Sequence, residues 1–127
     1  MTNPSKRILI VDDAATVRMY HRNILEAAGY AVEEAINGVE ALEKSLQTPF
    51  DLYVVDINMP KMDGYGFLRE LRGQDIAQAP AIMVSTEAES GDRQRAFFAG
   101  ANAYLIKPVK PDQLLTHVRV LFGELLP

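Results

Sequence analysis

The chain has 127 residues, of which 48% are hydrophobic and 24% are charged, and this composition predicts one globular domain. Its net charge of -4 argues against binding to nucleic acid or to an anionic membrane surface, because both require clustered lysine and arginine. Cysteine is absent, which excludes disulfides and thiolate metal sites.

The N-terminal segment, residues 1–7, lacks the long apolar core of a signal peptide. No apolar run approaches the roughly 18 residues that a membrane span requires. We therefore expect a monomeric cytoplasmic protein that does not insert into a membrane.

Five short stretches have the composition of β-strands. In chain order they are residues 8–11, 31–35, 52–55, 81–84 and 104–106. Four of them are rich in Val, Ile and Leu and do not alternate with polar residues, which is typical of strands buried on both faces. The second stretch, 31–35, is more polar, and this favours a position at the edge of the sheet.

Apolar residues recur at helical spacing after each predicted strand, which predicts five helices. These residues are Val17, Ile24, Leu25 and Ala28; Val39, Leu42 and Leu46; Phe67, Leu68 and Leu71; Ala96, Phe97 and Ala99; and Leu114, Val118, Leu121 and Leu125. Strict alternation of strands and helices predicts a parallel sheet with right-handed crossovers and helices on both faces.

Several residues mark the ends of the predicted helices. Gly29, Gly73 and Gly100 each follow an apolar helical stretch, where a left-handed C-cap would fall. Asn37, with Glu40 three residues later, predicts the start of the second helix by a capping box in which Asn replaces Ser or Thr. The last helix is expected to carry its proline, residue 111, in the first turn.

Polar side chains follow four of the predicted strands. They are Asp12 and Asp13 after the first, Asp56 after the third, Ser85 and Thr86 after the fourth, and Lys107 after the fifth. In an open parallel sheet, ligands bind beyond the carboxyl ends of the strands, where the strand order reverses. We therefore expect three acids, one or two hydroxyls and an ammonium group to meet at one edge of the sheet.

Such a cluster of acids requires neutralisation. Two carboxylates about 4 Å apart repel each other by roughly 4 kcal/mol at an effective dielectric constant of about 20. Either one acid has a raised pKa or a divalent cation binds, and an all-oxygen set of ligands suits Mg2+. Lys107 adds a second positive charge, and the Ser85 hydroxyl can donate to a phosphoryl oxygen. The set is suited to holding a phosphoryl group on a carboxylate.

Four motifs occur in order at these strand ends. They are VDD at 11–13, DINMPKMDG at 56–64, MVST at 83–86 and AYLIKP at 103–108. With them the sequence resembles the receiver domain of two-component response regulators, of the CheY-like single-domain kind, from about Lys6 to the last helix. The resemblance implies a flavodoxin-like, doubly wound five-stranded parallel sheet, a (βα)5 fold with strand order 2-1-3-4-5. It also implies one receiver domain over residues 1–127 with no output domain.

The resemblance assigns the acidic residues to phosphorylation and to metal binding. Asp56 matches the acceptor whose carboxylate attacks the phosphohistidine of a sensor histidine kinase. Asp13, Asp56 and the backbone carbonyl of Asn58 match the Mg2+ ligands, and Asp12 matches the acid that acts through a metal-bound water.

Further roles also follow from the resemblance alone. Ser85 takes the place of the switch hydroxyl, Lys107 matches the lysine that pairs with the phosphoryl group, and Tyr104 matches the aromatic residue that turns inward when the switch closes. The Lys107–Pro108 peptide bond is cis in the family. Asn58 and Glu87 resemble the residues that flank the path to the phosphorus in fast-resetting members.

The protein implied is a phosphorylatable switch, not a turnover enzyme. Its output partner is expected on the face formed by the fourth helix, the fifth strand and the fifth helix. Chemotaxis is the favoured process, and a phosphorelay shuttle between a kinase and a histidine phosphotransfer protein is the alternative.

Taken singly, the same residues have simpler interpretations. Asp12 and Asp13 could form only a solvated strand end with a helix cap, Ser85 and Thr86 could be turn formers, and Tyr104 could belong to the core. The two histidines, His21 and His117, are predicted to be surface residues on separate helices.

Three other classes of protein remain. A phosphatase of the haloacid-dehalogenase type requires an Asp-x-Asp pair after the first strand and a cap domain, and neither is visible. A flavodoxin-like electron carrier requires a first loop rich in Ser, Thr and Gly, whereas the acids at 12 and 13 would repel the FMN phosphate. A degenerate receiver is disfavoured because no expected site residue is missing.

Overall fold

The computed structural model describes residues 5–87 and 90–124, in which strands and helices alternate strictly. The elements are β1 (Arg7–Val11), α1 (Ala15–Ala27), β2 (Ala31–Ala35), α2 (Gly38–Gln47), β3 (Leu52–Asp56), α3 (Gly64–Arg72), β4 (Ala81–Ser85), α4 (Ser90–Ala99), β5 (Ala103–Ile106) and α5 (Pro111–Leu121). Each predicted strand is present, with ends that differ by at most one residue. The helix α5 ends at Leu121, and Leu125, predicted to extend it, lies outside the described residues.

The five strands form one parallel sheet in the order β2-β1-β3-β4-β5, which confirms the predicted doubly wound topology. The polar strand β2 lies at the edge of the sheet, as its composition indicated. The chain runs outward in opposite directions from β1 and β3, so the strand order reverses between these two neighbours. The carboxyl ends of β1 and β3 therefore define the crevice in which a ligand binds in this class of fold.

Both faces of the sheet are covered, which explains why the strands do not alternate with polar residues. On one face, Leu9, Tyr53 and Met83 pack with buried residues of α2, α3 and α4. On the other face, Ile10 and Val54 belong to a second core together with residues of α1 and α5. None of the helices in the described part of the chain combines the length and apolarity required to cross a membrane.

The predicted helix starts are confirmed at α2 and α5. The side chain of Asn37 accepts a hydrogen bond from the backbone N–H of Glu40 at 2.9 Å. The Glu40 carboxylate accepts from the N–H of Ile36 at 3.3 Å, one residue before the cap, instead of completing a standard capping box. Pro111 occupies the first position of α5, where its missing N–H leaves no unpaired donor.

The predicted left-handed helix ends are correct at two of three glycines. Gly29 has a φ of 97° and Gly100 a φ of 116°, both in the region that favours glycine. The prediction for Gly73 is wrong, because its φ is -85°. Its N–H donates to the carbonyls of Arg69 and Glu70, so the chain leaves α3 by prolonging a right-handed turn.

Gly64 allows the start of α3 to pack directly against the end of β3. A Cβ atom at this position would lie 2.6 Å from the backbone oxygen of Asp56, a contact too short for any side chain. The Gly64 N–H donates to the carbonyl of Ile57 at 2.8 Å, which closes the loop between the two elements. This close approach fixes the backbone of Asp56, the acid singled out by the sequence.

Candidate functional site

Three carboxylates meet at the carboxyl edge of the sheet. Asp12 and Asp13 directly follow β1, and Asp56 is the last residue of β3. One oxygen from each acid lies within 4.8 Å of an oxygen of the other two. Asp12 and Asp56 are only 2% and 6% exposed, whereas Asp13 is exposed, so the cluster opens to solvent on the Asp13 side.

Lys107 supplies the positive charge that the sequence predicted for this edge. Its Nζ atom lies 3.1 Å from Oδ2 of Asp12 and 3.0 Å from Oδ1 of Asp56. The backbone N–H of Lys107 donates to the carbonyl of Ser85 at 2.8 Å, which extends the pairing between β4 and β5 by one bond. The Lys107–Pro108 peptide bond is cis, as the resemblance implied.

Burial and neighbouring charges shift the pKa of two groups of the site, Asp56 and Lys107. Burial raises the pKa of the Asp56 carboxyl, Lys107 opposes this shift, and Asp12 and Asp13 add to it, with a net increase. Burial lowers the pKa of the Lys107 ammonium, but the nearby carboxylates outweigh burial and the net shift is upward. Lys107 is therefore a permanent cation, and ionised Asp56 has a free-energy cost in the folded state.

Asp12 is held by contacts on its side chain and on its backbone. Its Oδ1 atom accepts from the N–H of Ala14 at 2.8 Å, while Oδ2 faces Lys107. The guanidinium group of Arg18 donates to the Asp12 carbonyl at 2.7 Å and also pairs with Glu34. Asp12 therefore closes a local turn before α1, whose N-cap is Ala14, and the simpler interpretation as a helix cap does not hold. Sequence reasoning missed Arg18, because no motif marks it.

The donor set of the cluster fits a small hard cation. All side-chain donors of the group are carboxylate oxygens, which Mg2+ prefers over nitrogen or sulfur. Lys107 carries one positive charge against three acids, so negative charge remains for a cation to offset. Asn58, which the resemblance places among the ligands by its backbone carbonyl, lies two residues beyond Asp56 in the exposed part of the loop.

Ser85, at the end of β4, carries the buried hydroxyl of the site. It is 0% exposed, and its Oγ atom accepts a hydrogen bond from the N–H of Glu87 at 3.0 Å. Because a hydroxyl both donates and accepts, this bond leaves the Ser85 proton available for another oxygen. Thr86, the other hydroxyl predicted for this edge, is exposed in the following turn.

Tyr104 occupies an inward position on β5. Its side chain is 6% exposed, and its hydroxyl donates to the backbone carbonyl of Glu87 at 2.6 Å. The backbone of Glu87 is thus bonded on both sides, donating its N–H to Ser85 and accepting from Tyr104 at its carbonyl. The Glu87 side chain itself is exposed, like that of Asn58 in the loop that follows β3.

The prediction that His21 is a surface residue is wrong. His21 is 3% exposed, and it lines a cavity of about 310 Å³ together with Val17, Lys107 and Val109. Burial lowers the pKa of His21, so the ring is neutral at neutral pH. His21 lies four residues after Val17 and four before Leu25, and this spacing could have placed it on the buried face. His117 is only partly buried.

Comparison with known proteins agrees with this geometry. The sequence model of the response regulator receiver domain matches residues 8–119. The chemotaxis protein CheY of Bacillus subtilis is 44% identical over 110 residues, which cover 86% of this chain and 91% of that protein. Other curated relatives are longer, and the chain spans between 10% and 49% of the length of three of them.

Solved structures show the same fold. Vibrio cholerae chemotaxis protein CheY4 is 34% identical, with a TM-score of 0.88 over 93% of this chain and 99% of that chain. The receiver domain of the sensor histidine kinase PA1611 from Pseudomonas aeruginosa is 30% identical, with a TM-score of 0.87 over 95% of this chain and 100% of that chain, and it holds a magnesium ion in its active-site cleft. From the family match, the shared topology and the acidic cluster with its lysine, we conclude that the chain belongs to the response regulator receiver domain family.

Proposed function

We propose that residues 1–127 form a single receiver domain that accepts a phosphoryl group on Asp56 from a sensor histidine kinase and acts as a switch. The observation that carries this proposal is the setting of Asp56. Its carboxylate is buried at the edge of the sheet where the strand order reverses, 3.0 Å from the Lys107 ammonium and beside two further acids. A surface carboxylate without such partners would have no means of stabilising a transferred phosphoryl group.

The residues of the site have distinct tasks in the transfer. A carboxylate oxygen of Asp56 attacks the phosphorus, the new P–O bond forms, and the bond to the histidine nitrogen of the kinase breaks. Lys107 lies where it can neutralise the phosphoryl oxygens, whose negative charge is spread in a loose transition state. Asp13, Asp56 and the carbonyl of Asn58 would hold Mg2+, with Asp12 acting through a bound water, and the ion supplies further positive charge when bound.

The switch uses the hydrogen bonds around Glu87. Ser85 donates its free proton to a phosphoryl oxygen on Asp56, and Glu87 follows because its N–H is bonded to the same hydroxyl. Tyr104, bonded to the Glu87 carbonyl, is then favoured in its inward position. The phosphoryl group shifts the population between two arrangements of α4, β5 and α5, and does not create a new one.

The proposed switch also requires a surface that binds the output partner and a route by which the phosphoryl group is lost. The exposed Phe97 and Phe98 of α4 support partner binding on the face formed by α4, β5 and α5. Similarity to chemotaxis proteins supports chemotaxis as the process, in a monomeric cytoplasmic protein.

Asn58 and Glu87, both exposed beside the site, favour rapid hydrolysis of the acyl phosphate by orienting the attacking water.

Chemical phosphorylation tests the proposed function without the kinase. Incubation with acetyl phosphate and Mg2+ is expected to add one phosphoryl group, measured by mass spectrometry of the intact protein. Treatment with base should remove the group, as expected for an acyl phosphate, and peptide mapping should place it on Asp56. A phosphoryl group that resists base, or that maps to another residue, would contradict the proposal.

Ser85→Ala separates phosphorylation from switching. The variant keeps Asp56 and Lys107 and is expected to accept phosphate, but it loses the hydroxyl that joins the phosphoryl group to Glu87. The change that beryllofluoride, an acyl-phosphate mimic, produces at Tyr104 should therefore be mostly lost, as followed by fluorine NMR of 3-fluorotyrosine-labelled protein.

Ser45→Ala is the matched control for this variant. Ser45 is also buried, at 2% exposure, but its hydroxyl donates within α2 to the carbonyl of Ala41. The control should keep the full Tyr104 response. An equal response in the Ser85 and Ser45 variants would show that the Ser85 hydroxyl has no part in the switch.

A further inference from the structure

The helix α4 is flanked by two contacts between an arginine and a tyrosine ring. The guanidinium carbon of Arg93 lies 5.4 Å from the ring centroid of Tyr104, and that of Arg95 lies 4.4 Å from the ring centroid of Tyr65. Residues two apart in a helix point to nearly opposite flanks, so one arginine reaches toward β5 and the other toward α3. Both tyrosines are buried under α4, while both arginines are exposed.

The two tyrosines differ in the hydrogen bonds that their hydroxyls make. The Tyr104 hydroxyl donates to the carbonyl of Glu87 at 2.6 Å, and Glu87 is bonded in turn to the buried hydroxyl of Ser85. The hydroxyl of Tyr65, a residue of α3, lies 3.5 Å from the carbonyl oxygen of Asp92 in the first turn of α4, which is long for a hydrogen bond. Among the described residues, the Arg93–Tyr104 contact is therefore the one of the two that is joined by hydrogen bonds to the loop after β4 and to Ser85 beside the candidate phosphorylation site.

We propose that Arg93 is a positioning residue of the switch, whose cation over the Tyr104 ring stabilises the inward position of that tyrosine. The inference rests on the proposed function, since it assigns Arg93 to the regulation of the same site. Rotation of Tyr104 outward would break its bond to Glu87 and remove the ring from beneath the guanidinium group. The two contacts are lost together, so the orientation of α4 at Arg93 and the position of Tyr104 depend on each other.

The expected size of the effect follows from the exposure of Arg93. Attraction between a cation and an aromatic ring is modest at an exposed site, and its loss changes the ratio of two conformers by about two- to fivefold. Arg93 also lies on the protein surface, so its replacement should leave the core of the domain intact.

The experiment measures the position of Tyr104 by fluorine NMR of the wild type and of Arg93→Met, Arg93→Lys and Arg95→Met, all labelled with 3-fluorotyrosine. The chain has five tyrosines, and Tyr104→Phe assigns the fluorine resonance of interest. Arg93→Met keeps an unbranched side chain but removes the charge, and it should lower the inward-to-outward ratio about two- to fivefold. Arg93→Lys keeps the charge and should restore most of the ratio. Thermal unfolding of each variant checks that the fold is retained.

Arg95→Met is the matched control. It removes the same charge from the same helix, but its ring partner is Tyr65, so the Tyr65 resonance should move and the Tyr104 ratio should stay at the wild-type value. An unchanged Tyr104 ratio in Arg93→Met, or an equal change in both variants, would overturn the inference.

Uptake of phosphate separates this inference from the proposed function. Arg93 contacts neither Asp56 nor Lys107 among the described contacts, so Arg93→Met should take up phosphate from acetyl phosphate like the wild type. Absence of uptake in the wild type would refute the proposed function whatever the NMR result. Normal uptake with an unchanged Tyr104 ratio would refute only the role of Arg93.

Discussion

Asp56→Asn is expected to abolish phosphoryl uptake from acetyl phosphate. The amide is nearly the same size as the carboxylate, but it lacks the anionic oxygen that attacks phosphorus. Asp56 is the one buried acid of the cluster that lies within a strand, where backbone pairing with β4 fixes its position. Intact mass measured with and without Mg2+ reports the loss directly.

The same substitution should make the fold more stable in the absence of Mg2+. The pKa of Asp56 is raised by burial, so the folded state favours the protonated form, and ionisation destabilises the fold as pH rises through that pKa. Asparagine removes this cost. The stability gain of the variant should therefore be largest at about pH 8 and should shrink as pH falls and wild-type Asp56 becomes neutral, as measured by urea unfolding.

Asp75→Asn is the control for both measurements. Asp75 is exposed in the loop after α3, and its replacement should change neither the uptake of phosphate nor the pH dependence of stability. Full labelling of Asp56→Asn would reject Asp56 as the acceptor. A gain in stability that does not depend on pH would reject the electrostatic explanation.

Lys107→Met is expected to give the largest loss of stability. The Lys107 ammonium lies within hydrogen-bond distance of Asp12 and Asp56, two acids that are almost fully buried. Removing one partner of a buried charge pair leaves the other uncompensated and typically costs about 3 kcal/mol or more. We expect a loss of that order in chelator at about pH 8, and added Mg2+ should recover more stability in the variant than in the wild type.

The control for this prediction is Lys110→Met. Lys110 is an exposed lysine three residues further along the chain, and surface charges contribute about 1 kcal/mol or less. The two variants should therefore differ clearly in the urea concentration at the midpoint of unfolding. Equal midpoints would mean that Lys107 does not compensate the acids in the folded state.

The topology was predictable because strand burial leaves a direct mark on the sequence. Runs such as Leu52 to Val55 are apolar at every position since both faces of β3 are covered. The meeting of Asp12, Asp56 and Lys107 was predictable for a related reason, because the carboxyl ends of parallel strands share one edge. For both features, the local sequence pattern is sufficient to predict the three-dimensional arrangement of the residues.

Other features depend on contacts that the local sequence does not encode. An imidazole occurs both in cores and on surfaces, so the residue type of His21 did not reveal its burial beside the cavity that it lines with Lys107 and Val109. Gly73 tolerates either sign of φ, and its own hydrogen bonds to α3 select the right-handed one. The position of Arg93 over Tyr104 joins a helix to a strand that follows it in the chain, and no spacing rule relates the two residues.

Calorimetric titration of the purified protein with Mg2+ tests the central claim most directly. Three carboxylates lie within 4.8 Å of one another and one lysine balances them only in part, so a small hard cation should bind there. We expect saturable uptake of one Mg2+ per chain, weakened strongly in Asp13→Asn. No uptake of Mg2+ even at millimolar excess, or equal uptake by Asp13→Asn, would contradict the assignment of this cluster as a metal and phosphoryl site.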